Sequence, residues 1–186
     1  MLKLVKIKKT NPLLQQNMAI HYSQPKGFVG RNICYNIFWD DICYGNIVGG
    51  SATLHLPGRN EYFNIGPNKL NNIVNNIFFH IEKQNNTYPC RWFSAQVLKL
   101  FRHTITQDWY DKYGDKVIGF ESLVELPRTG QCYKKDGWDL VGQTKGFTCK
   151  RVGGLPQTEK WGGVRVWDYN NLRPKLVFCK KTVDLY

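Results

Sequence analysis

The first 31 residues contain no aspartate or glutamate, only six basic side chains: Lys3, Lys6, Lys8, Lys9, Lys26 and Arg31. From Asn32 to Tyr133 nine basic residues cancel nine acidic ones, and from Lys134 to Tyr186 eleven oppose five. The net excess of +12 therefore belongs to the two ends of the chain. Ends that met in space would make one positive face around a neutral centre, suited to a polyphosphate such as double-stranded DNA. No amphipathic basic helix argues for a membrane surface instead. No apolar run approaches the length that spans a bilayer. The stretch Met1 to Thr10 alternates apolar residues with lysine and lacks the apolar core and small-residue cleavage site of a secretion signal.

Also missing is any pair of cysteines at Cys-x-x-Cys spacing. The six cysteines stand at positions 34, 43, 90, 132, 149 and 179, without the histidine spacing of a zinc site. A chain of 186 residues buries a core without disulfide staples, so reduced thiols in a cytoplasmic protein are expected, and no metal site.

What is present is a chain for one domain spanning residues 1–186, with 42% hydrophobic and 14% aromatic residues. Leu2–Ile7 reads as a strand and Asn11–Tyr22 as a helix entered at Asn-Pro. Ile33–Trp39 and Ile42–Val48 read as a hairpin turning at Asp40-Asp41. Leu70, Ile73 and Val74 share a helical face, which predicts a short helix up to Asn76, then a strand from Ile77 to Glu82. The strongest helical pattern runs from Trp92 to Tyr113, with Phe93, Val97, Leu100, Phe101, Ile105 and Trp109 inward and Gly114 as its stop. Lys116–Leu126 reads as a buried strand, Gly130–Gly137 as a short helix, and Trp138–Gly142 and Lys175–Lys181 as strands. That order favours an α/β fold, a mixed sheet covered by helices.

No nucleophile elbow, phosphate-loop lysine, zinc-protease or deaminase signature occurs. The remaining candidates are scattered polar residues. His21 could take a proton from an exocyclic amine or bind a metal, although histidines at helix ends are mostly surface residues. Glu121 and Glu125 stand in an apolar strand on one face, where a carboxylate must be paired or functional. Arg91 and Ser94 sit where the long helix begins and its free N–H groups favour an anion, with helix capping the plainer role for Ser94. Tyr133 and Trp138 flank Lys134 and Lys135. Aromatics beside cations can stack a base and hold phosphates, although core packing is the commoner use of such rings.

Several blocks resemble one family. Ile20-His-Tyr-Ser, the hairpin closing at Gly49-Gly50, Pro89-Cys-Arg-Trp-Phe-Ser-Ala-Gln and Val117-Ile-Gly-Phe-Glu-Ser-Leu-Val-Glu are similar to the Mom family of phage DNA-modification proteins. Gly130-Gln-Cys-Tyr-Lys-Lys-Asp-Gly-Trp-Asp-Leu-Val-Gly and Arg173-Pro-Lys-Leu-Val-Phe extend the likeness, which covers Ala19 to Cys179. The same blocks look like Druantia-type defence proteins and transposase-associated domains. The resemblance implies a single-domain fold like the GNAT acyltransferases. It also implies addition of a carbamoylmethyl group to adenine N6 in DNA, protecting that DNA from restriction. It implies catalytic roles for His21, Ser94, Glu125 and Tyr133, with His21 or Glu125 as the base, and donor binding by Arg91 and Ser94. Lys3, Lys6, Lys8, Lys134, Lys135 and Lys145 would hold the DNA backbone. The glycine-rich pyrophosphate loop of acyl-CoA enzymes is absent before the long helix, so the donor stays open between acetyl-CoA, another acyl-CoA-like carrier and something else. A non-catalytic DNA-binding subunit and a protein acyltransferase are the rival readings.

Overall fold

A computed structural model of the protein describes residues 1–66, 69–152, 164–168 and 170–182. The N-terminal strand β1 (Leu2–Ile7) leads into helix α1 (Pro12–Ile20). Asn11 caps that helix by accepting from the Leu14 N–H at 3.3 Å, and Pro12 supplies a preset φ at its first position. Strands β2 (Asn32–Trp39) and β3 (Ile42–Ser51) form the expected hairpin, with Asp40 taking the positive φ that the tight turn needs. A five-residue helix, α2 (Arg59–Phe63), follows, and then a single 3-10 turn at Leu70–Asn72. Strand β4 (Ile73–Ile81), the long helix α3 (Phe93–Tyr113), strand β5 (Gly119–Glu125) and helix α4 (Gln131–Lys135) build the centre. Strands β6 (Asp139–Gln143), β7 (Thr148–Val152), β8 (Val164–Asp168) and β9 (Lys175–Lys181) complete the chain.

Seven strands form one mixed sheet in the order β1-β2-β3-β4-β5-β9-β6, and β7 pairs with β8 apart from it. Alternation along the strands sorts the core into two faces. Ile33, Tyr35, Ile47, Val74, Phe120 and Phe178 pack on the face covered by α3 and α4. Cys34, Val48 and Phe78 meet Leu14 and Met18 of α1 on the other face, where Ile73, Val177 and Cys179 meet Phe63 of α2. Burying each such large side chain contributes about 1.5–3 kcal/mol. Helix α3 lies close against the sheet because Gly49 has no Cβ. One placed there would stand 2.1 Å from the Ile105 side chain.

The structure departs from the sequence reading at three elements. Leu98, not Leu100, belongs to the fully buried stripe of α3, since a turn of about 100° per residue carries Leu100 to its border. Ile73 and Val74 are strand rather than helix, because β4 pairs with both β3 and β5 from its first residues. Helix α2, which the sequence reading left out, covers the sheet over Ile73.

The basic strands near the two ends lie apart in the sheet. Strand β1 is one edge and β9 stands five positions away, roughly 24 Å at ordinary strand spacing. Lys3 and Lys6 are paired on that edge with Asp41 at 3.4 Å and Asp108 at 2.7 Å.

Candidate active site at the sheet fork

Strands β4 and β5 run parallel, yet they pair only through Ile73–Gly119, Val74–Phe120 and Asn75–Glu121. Beyond those rungs the sheet opens into a fork. On the β3 side of β4 the register shifts between Val48 and Gly49, leaving Ile77 as an extra residue at the crotch. A cavity of about 1090 Å³ occupies the fork.

His21, Ser94, Glu125 and Tyr133, far apart in sequence, all line this cavity. They reach it from different elements and from both sides of the sheet. Glu125 shares the α1–α2 face with Glu121, four residues earlier on β5. His21, at the C-terminal cap of α1, packs against Phe78 on that same face, ring centroids 4.8 Å apart. Tyr133 and Ser94 come from α4 and α3, on the opposite face.

Tyr133 is held by its motif. Gly130 starts α4 in a left-handed conformation (φ 67°), and a Cβ there would stand 2.4 Å from the Phe178 ring. The Tyr133 ring stacks on Phe178 at 5.5 Å and meets Trp138 edge-on at 5.1 Å. Asp136 takes both bonds of a bidentate Arg102 at 2.9 and 3.0 Å and the Trp138 indole N–H at 2.7 Å. The block from Gly130 to Trp138 thus fixes one phenol. Its hydroxyl accepts from the Ser122 Oγ at 2.8 Å and the Asn76 Nδ2 at 3.1 Å, and complete burial raises its pKa well above the ordinary value.

His21 is kept neutral. Burial first, then His80 and Arg128, lower its pKa to about 4, with a backbone hydrogen bond at Phe79 opposing. Its Nδ1 lies 2.8 Å from the Ser23 hydroxyl and accepts the Ser23 N–H at 3.3 Å. That places the ring proton on Nε2 and leaves Nδ1 engaged. Glu125 is less committed, with Arg173 as its ion-pair partner at 3.9 Å. Ser94 is the second residue of α3 and does not cap it. The cap is Trp92, in the left-handed region, with no side-chain hydrogen bond to the first turn. Arg91 and Lys135 stand over the Trp92 ring at 5.0 and 4.3 Å, so cations flank the helix start although Arg91 does not line the cavity.

Thr53, Asn75, Asn76, His80, Ser122 and Arg128 also line the cavity, and the sequence does not single them out. Arg128 lies 3.5 Å above the Tyr22 ring at the cavity wall. Glu121, singled out with Glu125, forms a fully buried ion pair with Arg59 at 2.5 Å and is structural. Burial pushes its carboxyl upward against the opposing pull of Thr53 and Arg59.

The mixed sheet flanked by helices matches the fold of solved GNAT acetyltransferases. The chain has a GNAT fold. A GNAT acetyltransferase from Elizabethkingia anophelis with acetyl-CoA bound matches with a TM-score of 0.56 at 8% identity, over 97% of each chain. A Bacillus subtilis acetyltransferase in complex with CoA matches with a TM-score of 0.56 at 12% identity, over 97% of this chain and 99% of that one. The ribosomal-protein-S18-alanine N-acetyltransferase from Escherichia coli matches at 0.53 and 6% identity, over 97% and 94%. No protein-family model and no curated protein sequence matches the chain. Among the described residues no helix is long and apolar enough to cross a membrane, and no three His, Cys, Asp or Glu side chains cluster for a metal ion.

Proposed function

We propose that this protein transfers an acyl group from a coenzyme A thioester to an amine, and that the amine is the N6 group of adenine in DNA. One observation carries the reading: a cavity through the sheet fork with a protonated phenol on one face and a carboxylate on the other. A thioester donor supplies an activated carbonyl carbon. The residues on the α3–α4 face fit such a donor. The first turn of α3 offers free N–H groups, without a side-chain cap or an acidic residue, beside Arg91 and Lys135. The buried Asn76 Oδ1 has no hydrogen-bond partner among the described residues, so an amide N–H arriving in the fork would satisfy it.

The Tyr133 hydroxyl, held by Ser122 and Asn76, is the proton source for a departing thiolate. On the other face Glu125 is the proton acceptor for the attacking amine. His21, with Nδ1 occupied, forms the wall beside it. Adenine N6 is a poor nucleophile inside a duplex, so the base must be flipped out to reach the fork. The rings of His21, Tyr22, Phe78 and His80 and the Arg128 guanidinium give that side a surface on which a planar base can stack. Arg128 and Lys175 line the cavity, and Lys134 and Lys135 lie on the adjoining helix for phosphates.

A protein amine is the second reading, favoured by the likeness to the S18-alanine N-acetyltransferase. The carbamoylmethyl group implied by the Mom resemblance is joined through a methylene, whereas a thioester offers a carbonyl carbon. Mass spectrometry separates these possibilities. Purified protein is incubated with acetyl-CoA, duplex DNA and, separately, peptides; DNA from expressing cells is digested alongside. Modified deoxyadenosine is expected, and its mass reports acyl or carbamoylmethyl. Unmodified nucleosides beside acylated peptide amines would move the function to the second reading. DNA binding without modification of either would reduce the protein to a binding subunit.

A further inference from the structure

Resting on the proposed transfer to an amine, we infer that Asn75 positions the acceptor, its Oδ1 accepting one N–H of the nucleophilic amine. Asn75 is buried, lines the cavity and has its Oδ1 without a hydrogen-bond partner among the described residues. A buried acceptor left open is unfavourable, and native proteins keep few of them outside sites that a ligand completes.

The other end of this amide is held from behind. The Asn75 Nδ2 donates to the Thr53 Oγ1 at 2.9 Å. Thr53 is itself anchored, its N–H donating at 2.6 Å to Glu121, which is paired with Arg59 with both side chains fully buried. The donor end of Asn75 is thus spent on Thr53, and its carbonyl end is left open toward the cavity.

Placement supports an acceptor role rather than a donor role. Asn75 pairs across the sheet with Glu121, and Glu125 follows on the same face of β5, the face that also carries His21. A primary amine has two N–H groups: one proton leaves to Glu125 as the new C–N bond forms, and the other is held by Asn75. Holding it aims the lone pair and stabilises the positive charge that develops on nitrogen.

The experiment compares wild type with Asn75→Leu on duplex DNA carrying adenine or N6-methyladenine, with acetyl-CoA as donor. For a peptide acceptor the pair is a primary and an N-methylated amine. The methylated acceptor has one N–H, spends it on the base and offers Asn75 nothing. Asn75→Leu is expected to lower kcat/KM for adenine about tenfold, to leave N6-methyladenine nearly unaffected, and to keep CoA affinity within about twofold. The preference for the primary amine thus shrinks about tenfold. Thr53→Val, which removes the oxygen that Asn75 Nδ2 donates to, should shrink it in the same direction by less, and it decides the matter should Asn75→Leu not fold. An unchanged preference, or equal losses on both acceptors, overturns the inference while leaving the transfer reading intact. A wild-type protein that binds CoA and modifies neither kind of amine overturns both.

Discussion

The Arg59–Glu121 pair offers the sharpest test of the fold's energetics. Both side chains are fully buried, and Glu121→Gln removes the negative charge while keeping the shape. Arg59 would retain the Thr53 carbonyl at 3.0 Å, the Leu54 carbonyl at 3.3 Å and the Asn60 Oδ1 at 2.7 Å. Those are neutral acceptors, so its charge would lie uncompensated in the interior. Breaking one partner of a buried pair costs about 3–5 kcal/mol. The amide still accepts a hydrogen bond, so about 3 kcal/mol is expected. For a domain of this size each kcal/mol moves Tm by about 2–4 °C, which gives a drop of about 6–12 °C. Urea denaturation followed by circular dichroism measures it, together with the double replacement Arg59→Met, Glu121→Leu. That double variant should recover most of the loss, because neither desolvation penalty remains. A single variant within about 1 kcal/mol of wild type, or a double variant as unstable as the single, would refute the picture of a charge dependent on its partner.

Two further expectations concern protons and phosphates. His21 has its pKa lowered to about 4, so the folded state disfavours the charged ring. Its stabilising contribution is complete above the unfolded value of 6.5 and is lost as pH falls from there through about 4. Burial of the ring makes that loss about 3 kcal/mol at most, visible as a falling denaturation midpoint. His21→Asn should flatten the profile over that window, and an unchanged slope would refute the assignment. In the DNA reading, Lys134→Glu with Lys135→Glu should weaken duplex binding and flatten its salt dependence by about one charge per lost contact. Lys3→Glu with Lys6→Glu should leave both nearly unchanged, since those lysines are paired on the far edge; filter binding across a salt series would expose the opposite ranking.

Local chemistry made several elements legible. Alternation in Leu2–Ile7 and the apolar run within Lys175–Lys181 mark two strands at the bounds they have, and the Asp40-Asp41 turn marks the hairpin. The short elements failed where tertiary partners decide. Ile73 and Val74 carry helical spacing with Leu70, yet pairing with Gly119 and Phe120 makes them strand. Helix α2 is five residues long and hinges on a buried Arg59, which no pattern separates from a surface arginine. Within the fork, His21, Ser94, Glu125 and Tyr133 stand out in the sequence as polar residues at helix ends, at a strand end and in a short helix. Asn75 and Asn76 do not, because adjacent asparagines signal turns. Only the strand's neighbours reveal that they are buried. The charge asymmetry was real, but a linear count carries no information about which strand becomes an edge.

The fork also explains how one strand can serve opposite chemistries. Ser122 and Glu125 are three apart on β5, so the strand's twofold alternation sends them to different faces. Ser122 is hydrogen bonded to the phenol of Tyr133, which burial keeps protonated; among the described residues Glu125 has Arg173 as its ion-pair partner at 3.9 Å and lies on the face of the neutral His21. Were both on one face, the carboxylate would take the phenol as a hydrogen-bond partner and neither would be available to a ligand. With the sheet between them they communicate only where β4 and β5 part. In the proposed transfer, Tyr133 as proton donor and Glu125 as proton acceptor would thus be held on separate faces and meet only through a substrate that spans the cavity, which is the condition for using the two in a single step.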